Sequence, residues 1–122
     1  MKPRIGIIPG DPGGIGPELI AKLLADPDVH EKADILLIGD RHLFEMGQTQ
    51  AGTETEMVTC DANNGDWTDI SSLAIHERET IAADDVRLAE VTYANGHSAL
   101  SNLNCALEMA RDGIIDAITF GP

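Results

Sequence analysis

Pro9-Gly10-Asp11-Pro12-Gly13-Gly14-Ile15-Gly16-Pro17-Glu18 separates a short β-branched run (Ile5, Ile7, Ile8) from a second apolar run (Leu19, Ile20, Leu23, Leu24) whose members recur one and four positions apart. Glycine and proline dominate the stretch and exclude regular structure from it. The first run suits a buried strand and the second suits one face of a helix, so the order is strand, tight loop, helix. Pro17 fits the first helical position, where a missing N–H costs nothing, and Glu18 complements the positive end of the helix dipole. A glycine-rich loop feeding a helix N-terminus leaves backbone N–H groups unpaired and lets an anionic group approach the main chain. The same spacing also fits glycines that serve only a sharp turn and a close helix–sheet contact. Either way, Gly14 or Gly16 is expected to hold a backbone conformation closed to residues with a Cβ. No third glycine follows Gly14-Ile15-Gly16 to complete G-x-G-x-x-G, and no Lys-Ser or Lys-Thr pair makes a P-loop.

Downstream, Asp26-Pro27-Asp28 breaks the first helix. Ile35-Leu36-Leu37-Ile38 is continuously apolar, as a parallel strand covered on both faces should be. Residues 41–46 read as a short helix stopped by Gly47. Asp40, at a strand end a little past twenty residues from the glycine loop, stands where a Rossmann unit holds a ribose-binding acid, but without the fingerprint a turn or helix-cap role is favoured. Met57-Val58-Thr59 reads as an edge strand, Asn64-Gly65 as a turn, and Leu73-Ala74-Ile75 as a further short strand. Residues 81–91 fit either a helix or an extended connection. Ala99, Leu100, Leu103, Ala106, Leu107 and Ala110 mark a helix over 97–112 with one apolar face, Ser98 as its N-cap and His97 as a surface residue. Residues 114–120 then form a buried strand running into Gly121-Pro122. Strand and helix signals alternate throughout, which predicts an α/β fold with a mostly parallel sheet covered by helices.

The 8 basic and 21 acidic residues, formally −13, argue against nucleic acid or an anionic membrane surface as partner. Aromatic content of 3% removes the stacking platforms of a single-strand binder. No apolar run approaches the roughly 20 residues of a membrane span, and Lys2-Pro3-Arg4 leads into the first strand without a signal-type region, so a cytoplasmic chain is expected. Cys60 and Cys105 lack C-x-x-C spacing and read as unpaired, with Cys105 as filler on a helix face. His30, His42, His76 and His97 form no i, i+4 pair and no H-E-x-x-H. Glu77, Glu79, Asp84 and Asp85 read as a solvated acidic surface. No catalytic or metal residues are assigned from the residues alone.

The stretch from Arg4 to Glu18, Arg-Ile-Gly-Ile-Ile-Pro-Gly-Asp-Pro-Gly-Gly-Ile-Gly-Pro-Glu, resembles the opening of the 4-hydroxythreonine-4-phosphate dehydrogenase family. Asn95-Gly96-His97-Ser98-Ala99 and the segment from Ile115 to Pro122 resemble the same family, while the middle of the chain is not diagnostic. A shorter loop, Gly-Asp-Gly-Ile-Gly-Pro-Glu, opens the isocitrate and isopropylmalate dehydrogenases. The resemblance implies their fold, with residues 1–122 as the N-terminal α/β portion of a larger two-domain enzyme. It also implies oxidation of a phosphorylated hydroxy acid by NAD or NADP with a divalent metal, in a homodimer whose active site lies between domains and subunits, with Gly10, Asp11, Gly14 and Gly16 as the candidate cofactor-binding residues that shape the loop near that cleft. The family's substrate-contacting residues and metal histidines fall beyond residue 122, so no tight cofactor binding and no catalysis are expected of this chain alone. Two alternatives stay open: a phosphate acyltransferase-like enzyme of the same architecture, which lacks this opening, and a non-catalytic remnant or interaction module.

Overall fold

The apolar runs on either side of the glycine loop become β1 (Arg4–Ile8) and α1 (Gly16–Leu24). In the computed structural model, which describes residues 2–68, 70 and 72–122, the other strands are β2 (Asp34–Gly39), β3 (Met57–Thr59), β4 (Leu73–Glu77) and β5 (Ala117–Phe120). They form one sheet in the order β3-β4-β2-β1-β5, every pair parallel. The expected α/β class with a parallel sheet is what the chain adopts.

Parallel neighbours require crossovers, and these cover both faces. On one face α1, α2 (Pro27–Lys32) and α3 (Arg41–Ala51) enclose Ile7, Ile20, Leu24, Ala33, Ile35, Leu37, Phe44, Leu73 and Ile75. On the other, α4 (Tyr93–Arg111) and the β3–β4 connection, with Ala62 and Trp67, cover Ile8, Leu36, Ile38, Ala74, Ala106, Met109 and Ile115. Alternation along β2 sends Leu37 to one core and Leu36 and Ile38 to the other, which is why this strand reads as an unbroken apolar run.

The break at Asp26-Pro27 ends α1 as expected and also opens a short helix, α2, because Asp26 accepts a hydrogen bond from the Asp28 N–H at 3.0 Å and Pro27 sits at the first helical position. Three expectations about the elements need correction. Helix α3 does not stop at Gly47 but continues to Ala51, ending at Gly52 with φ 72°. Gly47 lies inside the helix because the Pro17 carbonyl of α1 occupies the place of its missing Cβ. Helix α4 starts after Thr92, whose side chain accepts from the Asn95 N–H at 3.1 Å, so Ser98 is inside the helix and buried, not its cap. Its inward face is Asn95, Ser98, Asn102, Ala106 and Met109, whereas Leu100 and Leu107 are 69% and 53% exposed. Strand β5, expected to be buried over 114–120, begins at Ala117 and forms a sheet edge, with Phe120 64% exposed. Its start is tied to β1 by Asp116, which accepts from the Arg4 N–H at 2.8 Å and from the Arg4 guanidinium at 3.0 Å.

Candidate functional site

From β1 the chain crosses to β2 on one side, and α4 later delivers β5 to the other side of β1. This reversal of strand order makes the carboxyl ends of β1 and β5 the topological switch point, where open parallel sheets bind their ligands. The glycine loop sits there. Asp11 shapes it, its Oδ1 accepting from the Gly13 N–H at 2.8 Å and its carbonyl from the Gly14 N–H at 3.0 Å.

The four candidate residues are brought together but are not equivalent. Gly10, Asp11 and Gly14 are half-buried, whereas Gly16 is buried. Left-handed backbone occurs at Gly10, with φ 77°, and not at Gly14 or Gly16 as expected. A Cβ on Gly10 would collide with the Gly121 carbonyl, and one on Gly16 with the Pro9 carbonyl. Gly13 is excluded from side-chain substitution by the Arg87 carbonyl. The missing side chains thus make room for this chain's own backbone, and the surface open to a ligand is the outward side of residues 10, 11, 14 and 15.

The outer wall of the loop comes from the connection between β4 and α4, residues 78–92. It is irregular, with bends at Thr80 and Ile81, a 3-10 turn at Ala83–Asp85 and a further turn at Leu88 and Ala89. The Ala89 N–H donates to the Gly13 carbonyl at 2.8 Å, and Asn95 Nδ2 donates to the Arg87 carbonyl at 2.9 Å. Near its other end the connection meets Asp40, which is 1% exposed. Asp40 occupies the N-cap position of α3 yet makes no cap bond. Its carboxylate instead accepts from the Thr80 N–H at 2.8 Å, the Thr80 hydroxyl at 2.7 Å and the Ile81 N–H at 3.0 Å. Neither a helix cap nor an accessible ribose partner describes it.

Beside this segment a cleft of about 730 Å³ is lined by residues including Arg41, His42, Glu79, Thr80, Tyr93 and His97, and by none from the glycine loop. Its cations are already engaged. Arg41 donates to Thr59 Oγ1 at 2.6 Å and faces Glu77 at 3.5 Å, and Arg78 donates to Ser101 Oγ at 2.8 Å. With Glu45, Glu79 and Asp85 also lining it, the cleft does not favour an anion.

Each histidine has a local structural contact. His30 Nε2 meets the Leu24 carbonyl at 2.8 Å, His42 Nε2 meets the Ile81 carbonyl at 2.7 Å, and the His97 ring stacks on Tyr93 at 5.9 Å between centroids. His76 Nδ1 accepts from the Ala62 N–H at 3.4 Å, and burial holds its pKa below the ordinary imidazole value, with nearby Asp61 opposing and Arg78 adding to the shift. Burial raises both thiols, Cys60 and Cys105, which are free and half-buried against the α4-side core. Among the described residues no group of three or more His, Cys, Asp and Glu is placed to hold a metal ion. Among them, too, no helix is long and apolar enough to cross a membrane.

Sequence reasoning missed the buried polar set Asn95, Ser98 and Asn102, together with Thr80 and Arg78. The first three recur at helical spacing, a signal masked by the more apolar neighbouring stripe.

No family model matches the chain. It is 42% identical over 121 residues to a protein of Pseudomonas aeruginosa provisionally named 4-hydroxythreonine-4-phosphate dehydrogenase 2, covering 98% of this chain and 36% of the relative. It is 32% identical over 123 residues to a Clostridium botulinum protein provisionally named D-threonate 4-phosphate dehydrogenase, covering 99% of this chain and 36% of that one. The crystal structure of a 4-hydroxythreonine-4-phosphate dehydrogenase from Burkholderia phymatum superposes with a TM-score of 0.86 at 29% identity, over 100% of this chain and 37% of its own. The likeness thus runs along the whole chain, which spans about a third of the length of these relatives.

Proposed function

We propose that this chain, related throughout its length to 4-hydroxythreonine-4-phosphate dehydrogenases, is part of a dehydrogenase that oxidises the secondary alcohol of a phosphorylated hydroxy acid, with NAD or NADP as acceptor. Substrates of the 4-phosphohydroxythreonine and D-threonate 4-phosphate type follow from the relatives' names. A homodimeric assembly belongs to the same proposal. The observation that carries it is the coincidence of the glycine loop with the switch point of an all-parallel sheet.

In this proposal the chain supplies one wall of the active-site cleft. Gly10, Asp11 and Gly14 present the loop's outward backbone to the cofactor, and Gly16 keeps α1 close to the sheet so that the helix N-terminus lies near that surface. A bound nicotinamide would accept the hydride. Among the described residues no set of side chains is placed to hold the divalent metal that the sequence resemblance implies. Hydride transfer requires acceptor, alcohol and proton acceptor held in one geometry, and this chain holds one side of that arrangement.

The test is an assay of the 122-residue chain beside a longer version carrying the further sequence its relatives have. Both are supplied with NAD or NADP, manganese or zinc, and 4-phosphohydroxythreonine or D-threonate 4-phosphate. Turnover is expected only from the longer protein. Turnover by the short chain would overturn the division of labour proposed, and a folded but inactive long protein would overturn the substrate class.

A further inference from the structure

We propose that Asp40 is a positioning residue for the glycine loop, acting through the 78–92 connection. Its carboxylate is 1% exposed, and the nearest basic group is His42 Nε2 at 3.5 Å. The three donors that satisfy it, two N–H groups and one hydroxyl, all belong to Thr80 and Ile81. Removing the connection would strand a buried charge, which is far more costly than losing a solvated contact.

The fastening has direction. The single Thr80 hydroxyl proton goes to Asp40 Oδ1, so at the 2.7 Å contact with Ser98 Oγ the threonine accepts and the serine donates. Carboxylate, threonine and buried serine therefore bind the end of β2, the connection and α4 in one ordered chain. His42 adds a second link through the Ile81 carbonyl at 2.7 Å, and Arg78 a third through Ser101 at 2.8 Å.

At the other end, the connection forms the wall of the glycine loop through the Arg87 carbonyl and the Ala89 N–H. Ala89 sits at φ 59°, a left-handed conformation costly to a residue with a Cβ and kept only where the surroundings impose it. Asn95 Nδ2 pins the backbone on either side of Ala89, through the Arg87 carbonyl at 2.9 Å and the Glu90 carbonyl at 3.3 Å, and the Asp40 fastening holds the start of the same connection. Loosening Asp40 releases Ala89, and with it the hydrogen bond to the Gly13 carbonyl.

Amide hydrogen exchange by NMR on the 122-residue chain tests it, with Gly14 and Ala89 as reporters and Ile7 and Leu37 in the sheet centre as controls. Thr80→Val, which removes the hydroxyl between Asp40 and Ser98, is expected to lower protection of both reporters by about tenfold, the size of one lost buried hydrogen bond, while the controls change less. Asp40→Asn, whose remaining oxygen takes the two N–H groups without charge and whose NH2 replaces the carboxylate oxygen on the Thr80 hydroxyl, should act in the same direction. Thr80→Ser should restore protection. Reporters that stay unchanged, or that fall only in parallel with the controls, would overturn the proposal, as would Thr80→Ser behaving like Thr80→Val. If Asp40→Asn does not fold, the valine and serine pair decides alone.

Discussion

Gly47 and Gly96 both lie inside helices, and alanine should act on them in opposite directions. A Cβ on Gly96 meets nothing within 4 Å, so Gly96→Ala should stabilise the chain by about 0.5–1 kcal/mol through reduced backbone entropy. At Gly47 the Cβ would strike the Pro17 carbonyl, and Gly47→Ala should cost about 1–3 kcal/mol as α1 and α3 are forced apart. Urea unfolding midpoints of the two variants check the pair, and equal shifts would refute the close contact. Sequence alone could mark these positions as glycine but not distinguish them, because the colliding carbonyl belongs to another helix. His76 provides a pH test. Its folded pKa lies below the unfolded value near 6.5, so the folded state binds fewer protons there, and stability falls as pH drops below that value. The loss should be smaller in His76→Gln, whose amide has no such proton to take up. An NMR titration should likewise show the His76 imidazole titrating below the ordinary value.

Helix α4 shows where the legibility of the elements ends. Its existence, and that of β1, α1 and β2, follow from apolar periodicity in the sequence, since helix and strand spacings differ there without ambiguity. Its rotation does not. Leu100 and Leu107 look like core residues, yet the helix turns Asn95, Ser98 and Asn102 inward because Thr80, Arg78 and the Arg87 carbonyl supply partners from the connection that precedes it. Leu100→Gln should therefore change stability by no more than about 0.5 kcal/mol, as expected of a surface position. Met109→Ala, at a residue 4% exposed, should cost about 2–5 kcal/mol. Chemical denaturation decides, and a reversed ranking would restore the apolar face expected from the sequence. The glycine loop was legible for a similar local reason. Its 78–92 wall was not, because nothing in that stretch's own composition reveals hydrogen bonds made to Gly13 and Asp40.

Across the whole molecule, apolar surface gathers at one edge. Ile15, Leu19 and Leu23 form an exposed stripe on the α1 side of the sheet, and the register of β5 against Ile5 and Ile7 places Ala117 and Thr119 on that same face, both exposed. Among the described residues the outer edge of β5 has no partner, and its Ala-Ile-Thr-Phe sequence carries no charge to protect it. Self-association is the expected outcome for the isolated chain. It should be opposed at low salt by the net charge of −13 and promoted as salt screens that repulsion. Sedimentation at several concentrations should show this, with Leu19→Glu and Phe120→Lys shifting the chain toward monomer; a monomer at all concentrations and salts would refute it. The inner position of β1, between β2 and β5, also sets an order of events in synthesis. Ile5 pairs with Ile35 on one side and with Ala117 on the other, so its second neighbour leaves the ribosome long after the first. At about 5–20 residues per second that interval lasts seconds, far longer than collapse or local pairing needs. During it the nascent chain displays the bare flank of its first strand, the place where a chaperone, or a wrong strand, would engage first.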